Sequence, residues 1–275
     1  MIGIILAGGL GTRLHPLTLS LSKQLLPVYD KPMIYYPLSV LLSQSIKKII
    51  IISTKRDLPA FRLLLGNGEK FGIKISYVCQ NKPLGLVQAF TLTKNKIKNK
   101  TVCLILGDNI FYGPNLKKFI SDSINTSIKK NIAINFSYRV HDPERYGVVS
   151  YNKRGEPIKI DEKPNKPKSN FALVGLYVFP PDVSKKSKLV KISKRGQLEI
   201  TDLINIYLKE NRLQINKFDE GYAWLDTGTH ESLIEASNFI QTIEKRQGIK
   251  VGCLEEIAFK EGLISKEKLK SISKK

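Results

Sequence analysis

Ile2-Gly3-Ile4-Ile5-Leu6-Ala7-Gly8-Gly9-Leu10-Gly11-Thr12-Arg13-Leu14 opens the chain with an apolar run that breaks into a turn dense in glycine. The run at 2–6 reads as a buried strand, being short, apolar and stopped by glycines. Glycine accepts positive φ and lets a ligand approach the backbone, so such a turn can aim several N–H groups into one concavity. A concavity of that kind suits phosphate oxygens. Arg13 inside the turn and Lys23 downstream add two cations, which fit a polyphosphate better than a single carboxylate.

Two familiar phosphate motifs are excluded. Counted from Gly9 and Gly11, the third glycine of a GxGxxG fingerprint falls on Leu14, and GxxxxGK[ST] has no match because the chain contains no Gly-Lys pair.

Outward from the first strand, further strand-like runs occur at 49–53, 73–78 and 102–106, with helical patterns between them at 37–45, 58–65 and 86–92. This βαβα order predicts a mainly parallel sheet covered by helices, with its ligand crevice at the carboxyl ends of the strands. The glycine turn and Leu106-Gly107-Asp108-Asn109 then open on one rim. From Ala133 the pattern changes to shorter strands at 133–140, 147–151, 157–161 and 172–179, which predict an inserted lobe of mixed or antiparallel sheet. Thr201-Asp202 opens a helix to 208, and 212–218 and 222–226 read as strands. Thr229 caps a long helix to 245, and a helical tail follows from 249. The Lys- and Asn-rich stretches at 93–100 and 163–170 read as solvated loops.

The 275 residues carry 45 Lys and Arg against 24 Asp and Glu, a net charge of +21. Lys far outnumbers Arg and is scattered among Asn and Ile rather than clustered with aromatic residues, so no nucleic-acid partner is expected. The excess charge still attracts anionic ligands. Cys79, Cys103 and Cys253 form no CxxC pair and read as reduced thiols. Met1 runs straight into the first strand, and no apolar run approaches the roughly 18 residues of a membrane span, so a cytoplasmic protein without membrane association is expected.

Asp108 follows an apolar strand, where a core normally excludes charge. Asp226, in Tyr222-Ala223-Trp224-Leu225-Asp226-Thr227-Gly228-Thr229, also ends a strand. Magnesium takes oxygen ligands, commonly one or two carboxylates with the rest from phosphate and water; either Asp alone reads rather as a turn or cap residue, but the pair taken together with the glycine turn fits Mg2+. In Asp161-Glu162-Lys163-Pro164, a carboxylate can accept from sugar hydroxyls and an ammonium can hold a phosphate, although an exposed pair before a proline turn has the same sequence. His15, His141 and His230 are isolated from one another and from Cys.

The Leu6–Thr18 stretch, with Ser22-Lys23-Gln24-Leu25-Leu26-Pro27-Val28-Tyr29-Asp30-Lys31-Pro32-Met33 after it, resembles the signature of the sugar-1-phosphate nucleotidyltransferases, specifically the branch acting on glucose 1-phosphate and dTTP. Cys79-Gln80-Asn81-Lys82-Pro83-Leu84-Gly85, Asp142-Pro143-Glu144-Arg145-Tyr146-Gly147, Leu173-Val174-Gly175 and Arg195-Gly196-Gln197-Leu198-Glu199-Ile200-Thr201-Asp202 extend the resemblance to about Glu256. It implies a Rossmann-like α/β nucleotidyltransferase domain over 1–275: a nucleotide part at about 1–132, a sugar part at about 133–228 and C-terminal helices at about 229–275. It implies Arg13, Lys23 and Lys163 as catalytic residues, and Leu6, Gly8, Gly9, Gly11, Thr12, Gln24, Gln80 and Gly85 around the nucleotide. Tyr146, Gly147, Glu162, Lys163 and Val174 then meet the sugar phosphate, and Asp108 and Asp226 hold Mg2+. A homotetramer making dTDP-glucose, with feedback inhibition by dTDP-rhamnose at a separate site, is implied as well. Leu84 and Val87 depart from the usual residues beside Gly85, which leaves use of UTP open. A non-catalytic sensor on this fold should have lost Arg13, Lys23 or the two Asp residues, and all four are present.

Overall fold

The computed structural model describes residues 1–274, which form two compact units: one of Met1–Pro83, Ile105–Lys117 and the residues from Ala223 on, the other of Leu84–Leu104 and Lys118–Tyr222.

The first unit holds the parallel strands Ile2–Ala7, Lys48–Ser53 and Lys74–Cys79, with Ile4 beside Ile50 and Ile50 beside Ser76. Ile4, Ile5 and Ile49 to Ile52 are almost fully buried, as expected of β-branched strands covered on both faces. Gly3 lets helix Tyr35–Ser43 pack close, since a Cβ there would stand 2.9 Å from Leu41 Cδ1. The helical pattern expected at 37–45 thus begins two residues earlier. Helix Leu58–Leu65 matches its expected bounds. Strand Asn109–Tyr112, absent from the sequence reading, pairs antiparallel with Ala223–Asp226.

Thr229 caps helix His230–Gln247 with a reciprocal box: Ser232 N–H donates to Thr229 Oγ1 at 3.2 Å, and Thr229 N–H to Ser232 Oγ at 2.9 Å. The helix ends at Gly248, which adopts φ 64°. Leu14, Leu26, Val28, Met33, Tyr36, Ile110, Ala236 and Ile240 share one buried cluster, so a residue of the glycine turn is rooted among helix and strand side chains. Complete burial of Leu14 contributes about 2 kcal/mol toward fixing that turn.

In the second unit the strands run in the order Pro157–Glu162, Gly147–Tyr151, Phe171–Phe179, Ala133–Arg139, Leu213–Phe218, antiparallel except for the last pair. This is the mixed sheet expected from 133 onward. Pairing with Ala133–Arg139 slips between Leu173 and Tyr177. Helix Leu116–Lys130 was not anticipated; its Phe119 packs on Phe136, Phe218 and Tyr222. The stretch 93–100, expected as loop, contains a helical turn at Lys94–Ile97 because Ile97 is buried. The C-terminal tail is helical at Leu254–Lys260 and Lys266–Ile272. Among the described residues no helix is long and apolar enough to cross a membrane.

Candidate active site

The first unit collects one group of the expected residues at the carboxyl end of strand Ile2–Ala7. Gly11 turns the chain with φ 65° into the short 3-10 helix Thr12–Leu14, so Thr12 and Arg13 stay exposed while Leu14 is buried. Gly9 is exposed, and a Cβ on it would meet nothing within 4 Å, so its backbone is open to a ligand. Gly8 is buried directly against the side-chain oxygen of Gln80, where any Cβ would collide. Gly107 N–H donates to Leu6 O at 2.9 Å, which brings the turn before Asp108 onto the end of the first strand, and Gln24 packs over Gly107. The two turns therefore open on one rim, as the strand order required.

Lys23 Nζ lies 2.6 Å from Asp108 Oδ2, with 7% and 23% of the two side chains exposed. Asn109 Nδ2 donates to Asp108 Oδ1 at 2.9 Å, so both carboxylate oxygens are engaged. Burial works to raise the Asp108 pKa, but the Lys23 ammonium and the Asn109 amide outweigh it and hold the carboxyl below its ordinary range. Asp226 sits across the ladder from Asn109, while Thr227 Oγ1 donates to the Asp108 carbonyl at 2.9 Å. Two carboxylate residues are thereby gathered at adjoining strand ends. Arg13 lies over Gly228, where a Cβ would stand 3.0 Å from its Nη2. A side chain at 228 would crowd the guanidinium.

Sequence reading missed the supports of this pair. Trp224 Nε1 donates to Asn109 Oδ1 at 2.6 Å, and Thr227 is fully buried. Their only signal was membership in the run from 222 to 229.

The second unit gathers the other group by itself. Glu162 ends its strand opposite Gly147, and a Cβ on Gly147 would meet Thr201 Cγ2 at 2.8 Å. Lys163 follows with φ 42°, a left-handed conformation uncommon for a side chain this long, and its N–H donates to Tyr146 O at 3.0 Å. The turn leaves the Lys163 side chain exposed beside Tyr146 and Glu162. Arg195 Nη1 donates to Glu162 Oε1 at 3.1 Å and Thr201 Oγ1 to Oε2 at 3.3 Å, two partners that sequence reading did not assign. Burial and the neighbouring Glu199 raise the Glu162 pKa despite Arg195. Val174 is buried within the irregular stretch between Leu173 and Tyr177, without a direct tie to Glu162 among the hydrogen bonds described. Gly85, at φ 109°, lies against the Leu198 backbone, where Leu198 N–H donates to Leu84 O at 2.7 Å.

Lys23 Nζ and Asn109 Nδ2 occupy the Asp108 carboxylate, and no Cys or His is among the contacts described for it. Among the described residues, no group of three or more His, Cys, Asp or Glu could hold a metal unaided. A pair of carboxylates needing further oxygens from a ligand fits a hard divalent cation carried with a polyphosphate.

A family model described as nucleotidyl transferase matches residues 2–243. A glucose-1-phosphate thymidylyltransferase of Neisseria meningitidis is 48% identical over 274 residues, covering 100% of this chain and 94% of that protein. One from Xanthomonas campestris is 50% identical over 272 residues, covering 98% and 91%. A crystal structure of a Bacillus anthracis protein provisionally assigned the same activity, in complex with sucrose, superposes with a TM-score of 0.79 at 39% identity, covering 87% of this chain and 95% of that one. A UDP-glucose pyrophosphorylase complexed with UDP-glucose gives a TM-score of 0.76 at 26% identity, covering 88% and 98%.

Proposed function

The chain belongs to the nucleotidyl transferase family, and we propose that it is a glucose-1-phosphate thymidylyltransferase, joining glucose 1-phosphate to the thymidylyl group of dTTP with release of pyrophosphate. The observation that carries this reading is the rim where Arg13, Lys23, Asp108 and Asp226 meet a glycine turn with open backbone, in a chain 48% to 50% identical to enzymes of that name.

A phosphate oxygen of glucose 1-phosphate forms a bond to the α-phosphorus of dTTP, while the bond from that phosphorus to the oxygen bridging to the β-phosphate breaks. Pyrophosphate takes the leaving electron pair. No protein base is needed, because a phosphomonoester with a second pKa near 6 is already mostly ionised at neutral pH. The protein must align two anions and offset their repulsion. Backbone N–H groups of the glycine turn and the Arg13 guanidinium bind the β- and γ-phosphates, where charge accumulates as pyrophosphate departs. Gln80, held against Gly8, presents an amide to the base, with Gly85 in the same role. Lys163 holds the phosphate of the sugar substrate, and Glu162, Tyr146, Gly147 and Val174 receive the sugar. Asp108 and Asp226 are the residues that would hold Mg2+, which when bound supplies charge neutralisation at the α-phosphate.

Lys23 has two partners available in this reaction: Asp108 before substrate arrives and a phosphate oxygen afterward. Its compact ammonium on a flexible stem suits such an exchange. The preference for dTTP over UTP rests on the higher identity to thymidylyltransferases than to the UDP-glucose enzyme. A cytoplasmic homotetramer, with a nucleotide part, a sugar part and C-terminal helices in one domain and feedback by dTDP-rhamnose, completes the proposal on the family resemblance. Incubation of the purified protein with glucose 1-phosphate, dTTP and Mg2+ should yield a product with the mass of dTDP-glucose. Recovery of both substrates unchanged would refute the reading.

A further inference from the structure

After the 3-10 helix Thr12–Leu14, residues 15–21 double back along the glycine turn. Leu21 packs against the buried cluster around Leu14, but the middle of the limb has little apolar burial, with Leu17 and Leu19 46% and 62% exposed. Two polar ties hold that middle. Thr18, only 1% exposed, donates its hydroxyl to Gly11 O at 2.7 Å, and Arg56 Nη1 donates to Leu19 O at 2.9 Å. Arg56 comes from Thr54-Lys55-Arg56-Asp57, the turn before helix Leu58–Leu65, and belongs to none of the phosphate or metal motifs. Its other edge is locked on its neighbour, with Nε donating to Asp57 Oδ1 at 2.8 Å and Nη2 to Oδ2 at 3.2 Å. Asp57 is 4% exposed and accepts from Thr54 Oγ1 at 2.8 Å, so the guanidinium is gripped on one side and aimed by the other.

We propose that Arg56 is a positioning residue for the triphosphate. By clamping the limb at 18–19, it holds Gly11, and through Gly11 the Thr12–Leu14 turn that carries Arg13, in a phosphate-receiving shape before the nucleotide arrives. The inference rests on the reading that this turn binds the triphosphate of dTTP. A loop ordered in advance spares the ligand the entropy of ordering it, so loss of the clamp weakens nucleotide binding more than it slows the chemical step. Only a planar fork can grip Asp57 along one edge and reach Leu19 O with the remaining nitrogen; an ammonium cannot do both.

The test compares wild type with Arg56→Ala and Arg56→Lys by steady-state kinetics, amide hydrogen exchange and thermal unfolding. Loss of a charge-assisted tie should raise the KM for dTTP about tenfold in Arg56→Ala, with kcat and the KM for glucose 1-phosphate within about twofold of wild type. Arg56→Lys should fall between the two, and exchange at residues 9–19 of the ligand-free protein should quicken in Arg56→Ala. A dTTP KM within about twofold of wild type, an equal rise in both KM values, or unchanged exchange at 9–19 would overturn the proposal. Exchange is read without substrate, so it decides the clamp even where wild type fails to turn over dTTP, a failure that would remove only the functional reading.

Discussion

Lys23 Nζ stands 2.6 Å from Asp108 Oδ2, across 85 positions of sequence, so a carboxylate suited to a cation already has one. In the proposed reaction an ammonium bound there would compete with a metal ion for the same oxygen, and phosphate oxygens that drew Lys23 away would free Asp108 for the metal. On that proposal, metal and nucleotide binding are coupled. With Mn2+ as the probe and no nucleotide present, Lys23→Met should bind the ion about tenfold more tightly than wild type by electron paramagnetic resonance, while losing most of its turnover. Equal Mn2+ affinity in the two proteins would show that the pair does not gate the site.

Arg13→Ala should lower kcat by about 10²- to 10³-fold, the cost of losing one preorganised group from a developing anion. Its melting temperature should stay within a few degrees of wild type, since Arg13 is exposed and the turn is rooted by Leu14. Normal turnover would remove Arg13 from the machinery.

Glu244 is only 5% exposed and accepts from Lys31 at 2.8 Å, Lys250 at 2.6 Å and Val251 N–H at 2.9 Å. Burial works to raise its pKa, but Lys250, Lys31 and the Val251 amide prevail and lower it. A carboxyl with a folded pKa below its unfolded one binds protons more readily when unfolded. Its stabilisation is complete above the unfolded value and is lost as pH falls through the folded one. Glu244→Gln should cost about 2 kcal/mol at neutral pH, discounted for the half-exposed Lys250, and the gap to wild type should close in acid. Urea unfolding at pH 7 and below pH 4 measures this, and a gap that widens in acid would contradict it.

Asn135 is fully buried, and among the described residues neither polar atom of its side chain has a hydrogen-bond partner. Asn135→Leu, which removes that desolvated amide, should stabilise the protein by about 1–2 kcal/mol, a rise of several degrees in melting temperature. A lower melting temperature would contradict this prediction.

Local sequence revealed those elements whose burial is written in the residues themselves. The apolar strand at 2–6, the isoleucines of 49–52 and Thr229 before a long periodic stretch each identify their element. Helix Leu116–Lys130 was hidden because serines occupy part of its buried face: Ser123 returns its hydroxyl to Phe119 O at 2.8 Å, and Ser127 bonds Ile132 O at 2.7 Å. Satisfied hydroxyls can be buried without any hydrophobic signal. In the candidate site, the carboxylates and cations could be picked out one by one, but their pairing could not. Lys23 with Asp108, Asn109 with Trp224 and Glu162 with Thr201 are contacts made only by tertiary folding. Arg56 carried no motif at all; its role becomes visible only when its nitrogens are followed to Asp57 and Leu19.

Thymidylyl transfer is read directly as pyrophosphate release by the purified protein from glucose 1-phosphate and dTTP, with each substrate and Mg2+ omitted in turn and UTP run in parallel. Release should require both substrates and the metal, with a higher kcat/KM for dTTP than for UTP. No release with either nucleotide would contradict the proposed activity.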